Sequence, residues 1–443
     1  MPIKTISETS RKYYLIAFDE KGKEREEGKT SKQILNILSS ELITDVFIFI
    51  HGWMGDVPEA HNQYSKWVEA MAQNPDEIKQ MQSSRAGFRP LLIGLHWPSL
   101  QWGDENLDSV SFDTTDISPV EQLIEEHAQF IADTDAARDA LKTIFTAAME
   151  NSAPDELPPE VEEAYSVLRR ESGLDTEGVG AAPGADLESF DAEEIFQAAE
   201  DEPVDFANPL SFIESKLLKP LEVLTFWKMK DRARRIGETA GFELLTKLQQ
   251  ATCDRVRFHL MGHSFGCIVV SAMLAGPNCR GTLVRPVNSV SLIQGALSLW
   301  SYCDNIPVAS GRSGYFHRII ADRKVNGPII TTQSEKDSAV GRMYPQAAFL
   351  GRQISYDLGE LPKYGAVGTY GICGLSPDIA VYMKMLPSDG TYKFEPGKIY
   401  NLESTQYICN MGDGFFNRYT TGAHNDIAIP QVANAVWQAA LGT

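Results

Sequence analysis

Residues 256–276 read VRFHLMGHSFGCIVVSAMLAG. An apolar run climbs to Gly262-His263-Ser264-Phe265-Gly266, and a second apolar run leaves it. One continuous buried element has no use for a polar pentapeptide with a glycine at each end. Two elements meeting at a sharp turn do: a strand that ends at Gly262 and a helix of small and apolar residues that opens at Ser264. Gly-x-Ser-x-Gly at such a junction is the nucleophile-elbow pattern. Its glycines let neighbouring backbone pack closely around the turn. Its serine sits at a helix N-terminus, where free N–H groups can stabilise a developing oxyanion. The pentapeptide alone is a weak signal and is also compatible with a Gly-Ser turn without chemistry. The flanking strand and helix decide the assignment of Ser264 as a nucleophile.

Working outward, other wholly apolar runs have the form of strands buried on both faces of a parallel sheet. DVFIFIHGW (45–53) ends in His-Gly, and RPLLIGLHWPS (89–99) is stopped by Pro98. Downstream, VNSVSLIQGAL, GPIITTQ and GKIYNLEST are three further strand candidates, and PQVANAVWQAAL is a closing helix. Upstream, KYYLIAFDEKGKERE predicts a β-hairpin turning near Gly22, followed by a helix in SKQILNILSSEL. Between residues 99 and 205 the rhythm breaks. A helical pattern runs from Pro119 to Glu150, and a shorter one from Pro159 to Arg170. The stretch from about 171 to 190 is rich in Gly, Ala and acid and poor in large apolars, which predicts an acidic flexible linker. On that reading, exchanging residues 172–186 for a short Gly/Ser linker leaves the melting temperature unchanged. Two or three helices follow in residues 211–250. The fold class expected is α/β, a doubly wound and mostly parallel sheet.

The chain of 443 residues is 43% hydrophobic and 23% charged, ordinary for a globular protein. Net charge is −20, and residues 151–205, with 17 acidic and 2 basic side chains, carry 15 of the excess negatives. That balance disfavours nucleic-acid binding. Within FWKMKDRARRIG, Lys228, Lys230, Arg232, Arg234 and Arg235 form a basic run with three readings: a contact for an anionic substrate or membrane surface, a solvated face, or a counter-charge for the acidic insertion. No run of about 18 uncharged apolar residues is present, which argues against a transmembrane segment. The N-terminus lacks a cleavage-site pattern, and six cysteines are scattered singly. Both fit a reduced, cytoplasmic protein.

Four motifs together resemble the α/β-hydrolase superfamily, of the lipase and esterase kind, and they stand in the family's order. FIFIHGWMGD resembles the His-Gly loop after the third strand, and LLIGLHWPS the fourth strand. MGHSFG resembles the elbow, and TGAHND the histidine loop after the last strand. The resemblance implies an α/β-hydrolase core in residues 1–98 and 206–443, with residues 99–205 inserted between the fourth and fifth strands as a helical cap.

Of eight histidines, His424 alone stands in a polar loop between the last strand and the terminal helix. The resemblance makes it the base in the chain order Ser…Asp…His. It also implies that Asp337, shortly after GPIITTQ, is the orienting acid. Glu335 is a neighbouring substitute, and Asp304, after the preceding strand, is the rival. Asp426 is too close in sequence to His424. The oxyanion donors would be the N–H of Phe265, which follows the nucleophile, and by the resemblance the N–H of Trp53. The expected activity is hydrolysis of a small-molecule or lipid acyl ester through an acyl-enzyme, with no metal or organic cofactor. The competing readings are a catalytically silent binding or scaffold module and a membrane-acting (phospho)lipase.

Overall fold

The structure, a computed structural model, describes residues 3–5, 12–53, 55–100, 119–150, 154–198, 215–343, 361–411 and 422–442. Among the described residues, nine strands form one sheet: β1 (Ile3–Thr5), β2 (Lys12–Ala17), β3 (Asp45–Ile50), β4 (Pro90–His96), β5 (Arg257–His263), β6 (Ser289–Ile293), β7 (Ile329–Gln333), β8 (Ala380–Lys384) and β9 (Ile399–Glu403). Their spatial order is β1-β2-β4-β3-β5-β6-β7-β9-β8. Only the short β1 is antiparallel, and every other pairing is parallel.

The helices labelled here are α1 (Lys29–Ser40), α2 (Val57–Ala72), α3 (Pro75–Ser84), α4 (Pro119–Ile131), α5 (Asp135–Glu150), α6 (Pro159–Glu171), α7 (Ala192–Ala198), α8 (Lys219–Ile236), α9 (Phe242–Gln250) and α10 (Gly266–Ala275). The terminal helix is Pro430–Leu441. β3 shows why the sheet is covered twice. All six of its residues are buried. Val46, Ile48 and Ile50 join the core that holds α8, α9 and α10, while Phe47 and Phe49 join the one that holds α2 and the terminal helix. Side chains alternate along a strand, so a strand that is apolar from Val46 to Ile50 must find apolar partners on both faces. The result is an α/β architecture with helices on each face.

The crossovers create a switch point. The chain leaves β3 toward β4 on one side, and leaves β5 toward β6 on the other, while β3 and β5 lie side by side. The carboxyl ends of β3 and β5 are thus the kind of switch point at which open α/β sheets place ligands.

Several local expectations are corrected. The turn at Gly22 is present, but beyond it only Phe18 and Glu24 are bridged, and β2 takes β1 and β4 as partners instead. The helical run 119–150 is two helices, because the Thr134 hydroxyl accepts the Ala137 amide at 3.2 Å and starts α5 afresh. β8 is an edge strand absent from the sequence reading; its alternating burial comes from a stretch too short to show a pattern. Residues 101–118 and 199–205 of the expected insertion, and 206–214 of the expected core, lie outside the described residues.

The largest correction concerns residues 171–190, where a flexible linker was expected. The stretch is a packed loop. Leu174, Val179 and Leu187 are buried in the same core as α8 and α10. The Asp186 carboxylate accepts from the fully buried Lys230 ammonium at 2.6 Å, and Lys228 donates to the Ser172 carbonyl at 2.6 Å. Gly184, at φ +102°, passes so close to α8 that a Cβ would stand 2.5 Å from the Asp231 Cβ. Its glycine thus serves conformation and close approach rather than mobility. For Lys230, the reading of the basic run as counter-charge to the acidic insertion is the one that holds. Exchanging 172–186 for a Gly/Ser linker removes the carboxylate facing a buried ammonium, a loss of about 3–5 kcal/mol by itself. The variant should melt many degrees lower in a calorimetric scan, and an unchanged melting temperature would return the segment to linker status.

Candidate active site

The parallel strands bring their carboxyl ends to one edge, and the residues singled out in the sequence gather there. Ser264 follows β5 with φ +54°, a left-handed conformation rare for a side chain with a Cβ. The two elbow glycines explain how the turn closes. A Cβ on Gly262 would stand 2.5 Å from the Gly266 carbonyl oxygen. One on Gly266 would meet the Ile50 and His51 carbonyl oxygens at 2.4 and 2.5 Å. The start of α10 therefore lies directly against the end of β3, which brings the His51–Gly52 loop to the serine. Gly52 is equally constrained, since a Cβ there would stand 2.8 Å from the Ser264 Cβ.

Asp337 and His424 meet. The His424 Nδ1–H donates to Asp337 Oδ2 at 2.7 Å, and both residues are buried. Their two loops are joined by backbone: Gly422 bridges Asp337, and the Ala423 amide donates to the Lys336 carbonyl at 2.9 Å. Asp304 and Glu335 are exposed. Asp426 is spent on the amides of Cys409 and Asn410, at 3.1 and 2.7 Å. Ser264 is reached from this pair through His263, whose ring centroid lies 4.7 Å from that of His424. Among the described residues, the Ser264 hydroxyl has no hydrogen-bond partner in this structure.

The two residues expected to supply amides also lie together. The Trp53 and Phe265 rings stack at 5.5 Å, and Phe226 of α8 packs edge-on against both, at 5.9 and 5.2 Å. The Phe265 amide donates to no acceptor among the described residues, although the residue is buried. An unmet buried donor beside a serine is a place for a ligand oxygen.

The chain matches no known protein family, no curated protein and no solved structure.

Three surrounding residues were missed in the sequence. Gln294, at φ +44° just after β6, donates through Nε2 to Asp337 Oδ2 at 2.7 Å and accepts the Thr332 hydroxyl at 2.9 Å. It donates to the same carboxylate oxygen that accepts from His424. The only signal was a polar residue at the end of an apolar strand. His51 was read as a shaping residue of the loop. Its Nδ1–H donates to the Gly52 carbonyl at 2.8 Å, and its Nε2 faces His96 Nδ1 at 2.9 Å. His96 is thus a second missed residue. The third is Gln63, in contact with His263. Among the described residues, no group of three or more His, Cys, Asp or Glu side chains is placed to hold a metal ion. No helix among them is long and apolar enough to cross a membrane.

Burial also keeps several histidines neutral. It holds His51 and His263 well below the ordinary value of 6.5, helped by the neighbouring rings of His96 and His424 respectively. Burial lowers His127, packed edge-on against Phe145, to about 4. These groups take up a proton in the unfolded chain near pH 6.5 but not in the folded one. The unfolded state therefore binds more protons as pH falls below about 6.5, and stability declines. The slope is about 1.4 kcal/mol per pH unit for each such group. Denaturation midpoints should fall between pH 7 and pH 5, and His127→Gln should show a shallower fall. Midpoints that stay level would contradict neutral burial.

Proposed function

We propose that this chain is a serine hydrolase with an α/β-hydrolase fold, cleaving a carboxylic ester through an acyl-enzyme on Ser264. The observation that carries the reading is the buried His424–Asp337 hydrogen bond standing beside a serine held at positive φ on a strand-to-helix turn. Asp337 fixes the tautomer of His424 with the proton on Nδ1, so Nε2 is the lone pair that can accept the serine proton. The proposed transfer requires the Ser264 hydroxyl to meet that nitrogen, a contact often formed only when substrate is bound.

In the reaction, Ser264 Oγ attacks the acyl carbonyl and His424 takes its proton. The tetrahedral oxyanion is held by the N–H groups of Phe265 and Trp53. His424 then protonates the leaving alcohol, and the acyl-enzyme forms. A water activated by the same nitrogen releases the acid and restores the serine. The helical insertion, residues 99–205, acts as a cap on the core, whose own α8 packs Phe226 on Trp53 and Phe265.

A fluorophosphonate probe tests the reading, because labelling needs an activated serine. Labelling of the wild-type chain is expected. Its absence would favour the silent binding module, and turnover of phospholipid vesicles without turnover of soluble short-chain esters would favour the membrane-acting lipase. The oxyanion loop has its own test. Trp53→Ala keeps the backbone N–H and should keep much of the activity, whereas Trp53→Pro removes it and should cost about 10²–10³ in rate. Equal losses in two folded variants would make the indole, rather than the amide, the working group.

A further inference from the structure

His263 is neither nucleophile nor base in the proposed reaction, yet it is buried between α2 and the His424 loop. Its Nε2 lies 2.9 Å from the His424 carbonyl oxygen, and its Nδ1 lies 3.0 Å from Gln63 Nε2. Trp67, one helical turn beyond Gln63 on α2, sets its ring perpendicular to the imidazole at 6.4 Å.

The donor roles follow from one fixed point. A carbonyl oxygen can only accept, so Nε2 of His263 must carry hydrogen. Burial keeps the ring uncharged at neutral pH, so Nδ1 is a lone pair and must accept. Gln63 therefore presents its NH₂ group. A single tautomer satisfies all three groups.

We infer that Gln63 and His263 form a positioning relay that sets the His424 loop through its backbone, Gln63 favouring the His263 tautomer that holds the His424 carbonyl. This rests on the proposed role of His424 as base. The base is then held twice. Asp337 takes Nδ1 of its ring, and His263 takes its backbone oxygen. Without the amide of Gln63, only the His424 carbonyl still favours hydrogen on Nε2, and the share of His263 that carries its proton on Nδ1 rises. Its Nε2 lone pair then opposes the carbonyl lone pairs, and the loop loses its second tether. A shift of about 1 Å in a reacting group can cost on the order of 10²-fold in rate.

The experiment compares Gln63→Leu, His263→Leu and His263→Gln with the wild type, using fluorophosphonate labelling and steady-state hydrolysis of a short-chain p-nitrophenyl ester. His263→Gln keeps an N–H donor toward the His424 carbonyl; His263→Leu does not. With one hydrogen bond lost to Gln63→Leu, kcat should fall about tenfold. It should fall about 10²-fold in His263→Leu and recover most of that loss in His263→Gln, with KM within about twofold throughout. Imidazole ¹⁵N–¹H correlation spectra should show His263 protonated on Nε2 in the wild type and a tautomer mixture in Gln63→Leu, a readout that does not depend on turnover. Gln63 is only half-buried, so its variant remains informative if His263→Leu fails to fold. A wild type that does not label overturns the hydrolase reading and the relay with it. A wild type that labels overturns the relay alone in any of three cases: folded Gln63→Leu at wild-type kcat, equal loss in both His263 variants, or His263 protonated on Nδ1.

Discussion

Ser264→Ala should fold, lose fluorophosphonate labelling and lose at least about 10³-fold in ester hydrolysis, because the proposed acyl-enzyme forms on the Ser264 hydroxyl. The structure separates this loss from a folding defect. Serine and alanine share the Cβ that makes φ +54° costly, and the hydroxyl has no hydrogen-bond partner among the described residues. Removing the hydroxyl should therefore change stability by less than about 1 kcal/mol. Ser264→Gly sharpens the contrast. Deleting the Cβ relieves strain of about 1–2 kcal/mol, offset by about 0.4–1 kcal/mol from the greater freedom of glycine in the unfolded chain. That variant should melt no lower than the wild type while showing neither labelling nor turnover. Such a gain in stability on losing activity is what a strained functional residue produces. Hydrolysis retained in Ser264→Ala above about 1% of the wild-type rate would remove Ser264 from the role of nucleophile.

Asp337→Asn is expected to lower the rate by about 10⁴. The carboxylate accepts from His424 Nδ1 and from Gln294 Nε2 on the same oxygen, each at 2.7 Å, and from the Val340 amide at 3.1 Å on the other. An asparagine keeps the shape but can turn its NH₂ toward His424. The imidazole then accepts at Nδ1 and carries its proton on Nε2, where the lone pair for the serine proton is needed. Asp304→Asn, on an exposed loop residue, should leave kcat/KM within a few-fold of wild type. The pair of measurements is decisive, since a large loss in Asp304→Asn beside an active Asp337→Asn would move the acid to the loop after β6.

Much of the architecture could be read without coordinates because its causes are local. A strand buried on both faces is rich in apolar residues; β3 and β4 announce themselves as long apolar runs, and β5, β6, β7 and β9 as shorter apolar stretches. The elbow is equally local. A turn in which Gly262 meets Gly266, and Gly266 meets β3, excludes any Cβ, so its glycines are visible as a pattern. Ser264 was legible for that reason. His424 and Asp337 were named through the family resemblance, and Asp304 remained a rival until the structure left it exposed.

What only the tertiary structure decided are the contacts between residues far apart in the chain. His424 and Asp337 are 87 residues apart, and Gln63 and His263 are 200 apart. Neither spacing leaves any periodicity in a sequence. Residues 171–190 show the same limit in reverse. Their composition is that of a chain unable to bury itself, and alone it has too little apolar surface to offset the entropy of ordering. The ordering comes from elsewhere: Lys230 and Lys228 on α8 receive its acid and its carbonyl, and its glycines permit the close approach. Sequence determined the elements and the apex on which Ser264 stands, since those depend on neighbours along the chain. Tertiary structure decided which acid meets which histidine and whether an acidic segment packs, since those depend on neighbours in space.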